Sequence, residues 1–175
     1  MSFTLVPERE KSLEQVLARY PTAQAACIPA LHLCQEQHGW VSPEVIEYVA
    51  RRLDLPTAHV LGVATFYSLF HTTPTGRHQI WVCRTLSCAL GGSEQILKHC
   101  EKRLGIRCGE TTPDGAITLR SCECLASCGT APAMQVGHDY HENLSIESVD
   151  AVLDQLLQGK GGGPDVHPGG LGGEP

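Results

Sequence analysis

Two tight cysteine pairs, Cys83-x4-Cys88 and Cys124-x3-Cys128, constrain this chain more than any other feature. Thiolates grouped in this way ligate metal, and the backbone around each pair has to wrap the bound group as a loop. Loop-forming sequence follows both pairs: Ala89-Leu90-Gly91-Gly92 after the first and Gly129-Thr130-Ala131-Pro132 after the second. If both pairs serve one site, the chain between them must fold into a unit that returns the second pair to the first. Spacings of this length suit an iron–sulfur cluster better than the C-x2-C frequent in structural zinc sites. The four thiols therefore predict a [2Fe–2S] centre on Cys83, Cys88, Cys124 and Cys128, with zinc on the same four thiolates as the competing reading.

The rest of the composition narrows the setting. The chain has nine cysteines, an odd number, and its first ten residues lack the basic stretch and apolar run of a secretory signal. A reducing, cytoplasmic compartment is therefore expected, and a disulfide framework is not. No apolar run approaches the roughly 18 residues that span a bilayer, so direct membrane insertion is not expected. A net charge of −6 and the lack of any Lys/Arg run give nucleic acid no purchase. A thiol–disulfide enzyme would need a C-x-x-C pair, and the chain contains none.

The first 70 or so residues read as helices. Leu13, Val16, Leu17 and Tyr20 form a stripe at helical spacing that ends at Pro21. A second helix is expected from Thr22 to about His38, kinked or split at Pro29 and stopped by Gly39. Ser42-Pro43 supplies an N-cap and a first-turn proline for a third helix whose buried face is Val45, Ile46, Val49, Ala50 and Leu53. A fourth follows Leu55-Pro56-Thr57 and runs on to Phe70. Short connections between amphipathic helices imply a small bundle.

After residue 74 the pattern changes. His78 to Cys83 and Ala116 to Arg120 read as strands, Ser93 to Leu104 as a helix, and Ala133 to Val136 as a third strand turning at Gly137-His138-Asp139 towards Tyr140. Ile146, Val149, Val152, Leu153, Leu156 and Leu157 mark a last helix that Gly159 ends. The fold expected is α+β, with a helical bundle at residues 1–74, a cluster domain at 75–158 and a disordered Gly/Pro-rich tail at 159–175.

Val82-Cys-Arg-Thr-Leu-Ser-Cys88, Glu123-Cys-Leu-Ala-Ser-Cys-Gly-Thr-Ala-Pro132 and Met134-Gln-Val136 together resemble the E-type, thioredoxin-like [2Fe–2S] subunit family of NADH:quinone oxidoreductase, respiratory complex I. Pro29-Ala-Leu-His-Leu33, His38-Gly-Trp40, Val63-Ala-Thr-Phe-Tyr67 and Tyr140-His-Glu-Asn-Leu144 extend the likeness over roughly residues 7–158. The resemblance implies a helical bundle followed by a thioredoxin-like [2Fe–2S] ferredoxin domain, with Cys83, Cys88, Cys124 and Cys128 as cluster ligands. It implies one cluster per chain, in a subunit with no complete active site of its own. It further implies a partner flavoprotein subunit that binds FMN and NADH and passes electrons to this chain, beside other peripheral-arm subunits of a membrane-attached complex. NAD-linked hydrogenases and formate dehydrogenases use an equivalent subunit. The chain departs from the family pattern in having Leu125-Ala126-Ser127 where Leu-Gly-Ala is expected, and in the extra Cys122.

A cluster held by four thiolates is anionic, so compensating dipoles are expected: backbone N–H groups of Gly91-Gly92 and the N-terminus of the helix near Ser93. Arg84 either faces the thiols or points to solvent. Cys27, Cys34, Cys100 and Cys108 read as packed apolar thiols, and Cys122 as a passive neighbour of Cys124 on the same face of an extended segment. His138 and His141 are expected at the surface, and His38 packed at a helix end. Phe66, Tyr67 and Phe70 form an aromatic cluster, read as the seam between helical region and cluster domain in preference to a docking face.

Overall fold

A computed structural model describes residues 3–159, and the tail expected from Lys160 onward lies outside the described residues. The chain divides into two compact units, one up to Pro74 and the other from Thr75.

The first unit is helical. Helix α1 spans Pro7–Arg19, α2 Cys27–His38, α3 Pro43–Leu53 and α4 Thr57–Phe66. Pro7 and Pro43 both occupy first-turn positions, where a missing N–H costs nothing. Ser42 accepts a hydrogen bond from the Val45 N–H at 3.3 Å and so caps α3. The helix expected over residues 22–38 is divided: a 3-10 turn, Gln24–Ala26, precedes α2, and Pro29 sits in the first turn of α2. The break thus falls ahead of the proline, where the helix start tolerates it. Helix α4 stops at Phe66, earlier than its apolar pattern suggests, and a turn carries the chain on to Phe70.

Leu13, Leu31, Val45, Val49 and Val60 are fully buried at the centre of this bundle. Buried Gln35 acts as a polar staple, its amide donating to the Leu69 carbonyl at 3.0 Å and its oxygen accepting from the His71 N–H at 2.8 Å. Glu10 joins α1 to α3 by accepting from the Tyr48 hydroxyl and from Arg52 Nε at 2.7 Å. The Tyr48 hydrogen bond holds the Glu10 carboxyl below its ordinary value. His38 packs as expected, stacked on Trp40 with Phe3 edge-on. The aromatic cluster divides. Phe70 lies in the helical core against His32, whereas Phe66 and Tyr67 form an exposed edge-to-face pair.

The second unit carries a four-stranded sheet in the order β2-β1-β3-β4, built from β1 (His78–Cys83), β2 (Ile117–Cys122), β3 (Met134–Val136) and β4 (Asp139–His141). Strands β1 and β2 run parallel in a register that sets Cys83 beside Cys122, and β3 runs antiparallel to β1. Helices α5 (Leu86–Leu90) and α6 (Ser93–Leu104) follow β1, and α7 (Ile146–Leu157) closes the unit. One face of the sheet, with Ile80, Val82, Ile117, Leu119, Met134 and Val136, packs on Ile96 and Cys100 of α6 and on Val149, Leu153 and Leu156 of α7. Each such side chain, fully buried, contributes about 1.5–3 kcal/mol of transfer free energy. Arg103 of α6 reaches Asp154 of α7 at 2.6 Å and joins the two helices outside the core.

Cys27, Cys34 and Cys100 are buried in the cores as expected, and burial pushes the thiols of Cys34 and Cys100 up to about 12 and about 11. Cys108 is exposed, contrary to expectation. Gly105, in a left-handed conformation, ends α6 before it, so the helical stripe never reaches residue 108. His138 is exposed, but His141 is half-buried at the end of β4, where burial lowers its basicity.

Candidate functional site at the carboxyl end of the parallel strands

Parallel pairing decides where the cysteines go. Strands β1 and β2 end side by side, at Cys83 and Cys122, so the loops that leave them emerge at the same end of the sheet. The first loop carries Cys83 and Cys88, and the second carries Cys124 and Cys128. Strand β3, running the other way, begins at this same end. The Cys83 N–H donates to the Ala133 carbonyl at 3.1 Å, and the Arg84 N–H to the Cys122 carbonyl at 3.0 Å. Helix α5 places Cys88 on its buried side and lies against the 3-10 turn Cys128–Thr130. Gly91 permits this approach: a Cβ there would stand 3.2 Å from Cδ and N of Pro132.

The four thiols are not equivalent. Cys83 and Cys88 are each 3% exposed and sit in a small apolar cluster with Leu125 and Ala133, whereas Cys124 and Cys128 are exposed. Burial raises the Cys83 thiol, but hydrogen bonds from the Thr85 hydroxyl and from the N–H groups of Thr85 and Leu125 outweigh it and leave Cys83 below the ordinary value. Burial also raises Cys88, as does its hydrogen bond to Cys83, while the Ala133 N–H pulls the other way. The Ala126 N–H donates to Cys124 Sγ at 3.3 Å. Backbone donors thus point at three of the four sulfurs. They come from Thr85, Leu125, Ala126 and Ala133, not from Gly91 and Gly92, whose N–H groups are spent on the Ser87 and Ala89 carbonyls. No sequence signal marks a backbone donor, which is why the expectation fell on the glycines.

Cys122 packs against this cluster half-buried. Burial, then the charges of Cys83, Cys124 and Cys88, push its thiol up to about 12, so it keeps its proton at neutral pH. Arg84 points to solvent and pairs with Glu123, its Nε donating to Oε1 at 3.0 Å. Glu142 ties down the second loop, accepting from the Ser127 hydroxyl and from Thr130 Oγ1 at 2.7 Å.

Within the second loop, Ala126 adopts φ +60°. The residue that departs from the expected Leu-Gly-Ala therefore occupies a conformation that costs an L-residue roughly 1–2 kcal/mol. Ala126→Gly is expected to stabilise the second unit by about 1 kcal/mol, read as a higher urea midpoint at unchanged slope. An unchanged or lower midpoint would show that the loop carries no such strain.

Among the described residues, no three His, Cys, Asp or Glu side chains gather around a single metal position. A mononuclear tetrahedral site needs four ligands about one ion. A binuclear cluster takes only two protein thiolates per iron, and two thiol pairs on facing loops with N–H groups directed at sulfur fit that demand.

A family model described as "Thioredoxin-like [2Fe-2S] ferredoxin" matches residues 13–157. This chain belongs to that family. The E 2 subunit of the NADH-quinone oxidoreductase of Rhizobium meliloti (strain 1021) is 49% identical over 146 residues, covering 83% of this chain and 87% of the relative. NADH-quinone oxidoreductase subunit 2 of Thermus thermophilus is 40% identical over 156 residues, covering 87% and 86%. A chain of an NAD+-reducing [NiFe]-hydrogenase in the air-oxidized state superposes with a TM-score of 0.68 at 20% identity, over 77% of this chain and 23% of that one. That likeness shows the fold. The α+β reading and the thioredoxin-like [2Fe–2S] ferredoxin assignment both hold, and the chain is a homologue of the E-type subunits of complex I.

Proposed function

We propose that this thioredoxin-like [2Fe–2S] ferredoxin is the electron-transfer subunit of an NADH:quinone oxidoreductase, and that Cys83, Cys88, Cys124 and Cys128 hold its one cluster. The observation that carries the proposal is the exit of both thiol-bearing loops from adjacent parallel strand ends, one pair buried and the other at the surface. When bound, a [2Fe–2S] cluster accepts and gives back one electron at a time. Leu125 and Ala133 exclude water from the inner thiols, and the N–H groups of Thr85, Leu125, Ala126 and Ala133 offset anionic charge on sulfur. Those groups are fixed by the fold, so they need little rearrangement when charge changes.

The outer thiols face the side from which a partner would approach. Leu86 and Leu90 flank Cys88 on α5 and are 75% and 82% exposed, apolar anchors out of place on a chain that works alone. We assign that face to a flavoprotein subunit that takes hydride from NADH onto FMN and passes single electrons on; this chain binds neither FMN nor NAD. No helix among the described residues is long and apolar enough to cross a membrane, in keeping with a place in the peripheral arm, beside its other subunits and on the cytoplasmic side.

The test is reduction of the anaerobically purified chain by NADH, with and without the flavoprotein subunit, followed by electron paramagnetic resonance. A rhombic S = 1/2 signal that NADH elicits only with the partner present is expected. A colourless, zinc-containing chain would remove electron transfer, and reduction by NADH without the partner would overturn the division of labour.

A further inference from the structure

Only two charged residues adjoin the four site cysteines in sequence: Arg84, directly after Cys83, and Glu123, directly before Cys124. They lie on different loops yet meet, through Arg84 Nε at 3.0 Å from Glu123 Oε1 and through a second guanidinium nitrogen on the same oxygen. Their side chains are 61% and 73% exposed. As a clasp such a pair holds little, because both ends are well solvated and screened. The loop stems are fastened independently, by the Arg84 N–H on the Cys122 carbonyl and the Cys83 N–H on the Ala133 carbonyl. The remaining effect of the two side chains is their charge, placed one residue from a buried thiol and one residue from an exposed thiol.

We infer that Arg84 and Glu123 set the reduction potential of the site as a mutually cancelling pair of charges. Gaining an electron adds negative charge at the thiols, so a nearby cation favours the reduced form and a nearby anion disfavours it. Joined as an ion pair, the two residues offset each other at the cluster. Each is a positioning residue for charge, and neither ligates. A partner whose own charge captured one member would leave the other uncompensated and so shift the potential on docking.

The experiment is an anaerobic redox titration of the full-length, cluster-loaded chain, followed by its paramagnetic signal, for Arg84→Gln, Glu123→Gln, the double variant and Arg84→Lys. Arg84→Gln is expected to lower the potential and Glu123→Gln to raise it. Each shift should correspond to roughly three- to tenfold in the one-electron equilibrium, about 30–60 mV at 59 mV per tenfold. The double variant and Arg84→Lys should both return near the parent value, and added salt should shrink the single-variant shifts. Shifts of the same sign in both single variants, no shift in either, or loss of the cluster from either would overturn the inference and make the pair a structural clasp or a bystander. The inference rests on the cluster lying on these four cysteines. A parent chain with no paramagnetic signal would defeat that assignment, whereas an intact signal with unmoved potentials defeats the charge pairing alone.

Discussion

Cys83→Ala is expected to cut bound iron from about two atoms per chain to less than about a tenth of that. Cys83 is the most deeply built of the four thiols. It is 3% exposed, anchored at the end of β1 by its own N–H on the Ala133 carbonyl, and approached by the N–H groups of Thr85 and Leu125. Alanine keeps the strand and removes the only donor atom. No neighbouring thiol is placed to replace it, because Cys122, the closest in register, holds its proton through neutral pH. Cys27→Ala is the matching control. That thiol lies in the helical core, 2% exposed, and its loss leaves a small cavity costing on the order of 1 kcal/mol while iron stays at the parent level. Iron measured per chain on anaerobically purified protein decides the matter, and an unchanged content in Cys83→Ala would sink the ligand assignment.

Gly76→Ala should be the most damaging substitution of a residue far from the cysteines. A Cβ at Gly76 would stand 2.8 and 2.9 Å from C and N of Ile117 and 3.0 Å from C of Ala116, all backbone atoms. They cannot retreat easily, since the Gly76 N–H donates to Thr118 Oγ1 at 2.6 Å and the His78 N–H to the Ala116 carbonyl at 2.9 Å. Relief would require parting β1 from β2 where their parallel pairing begins. The cost expected is about 1–3 kcal/mol, or a melting temperature lower by roughly 10 °C. Gly62→Ala makes the contrast: its Cβ would meet nothing within 4 Å, and on α4 it should stabilise by about 0.5–1 kcal/mol. Equal melting temperatures for Gly76→Ala and the parent would show that the strand ends yield more readily than these distances allow.

Much of this architecture can be read from local signals. Ser42-Pro43 starts α3 and Gly39 ends α2 through chemistry confined to a few residues, and the apolar runs of β1 and α7 carry their periods openly. What escaped was set by tertiary context. Helix α5 is five residues long, too short to show a period, yet it holds Cys88 against the second loop. Leu69 and Phe70 continue the apolar pattern of α4, but they reach the core through a turn held by Gln35, a partner far away in sequence. Arg84 was visible and Glu123 was not, because pairing them requires the parallel register of β1 and β2. The departure at Ala126 could be seen in the sequence. Its meaning needed the φ angle.

The N–H groups directed at the thiols belong to the main chain. A side-chain substitution cannot delete a main-chain donor unless it introduces proline, and proline in either loop would also disturb the path of the backbone. Point mutation therefore has almost no access to the inner polarity of this site. Lineages that need a different driving force for their electron carrier are left with the outer ring of charged side chains, where one nucleotide change can add or remove a whole charge without touching the fold. Divergence in redox behaviour should accordingly concentrate at positions such as Arg84 and Glu123, while the scaffold that grips the cluster drifts only in its apolar packing.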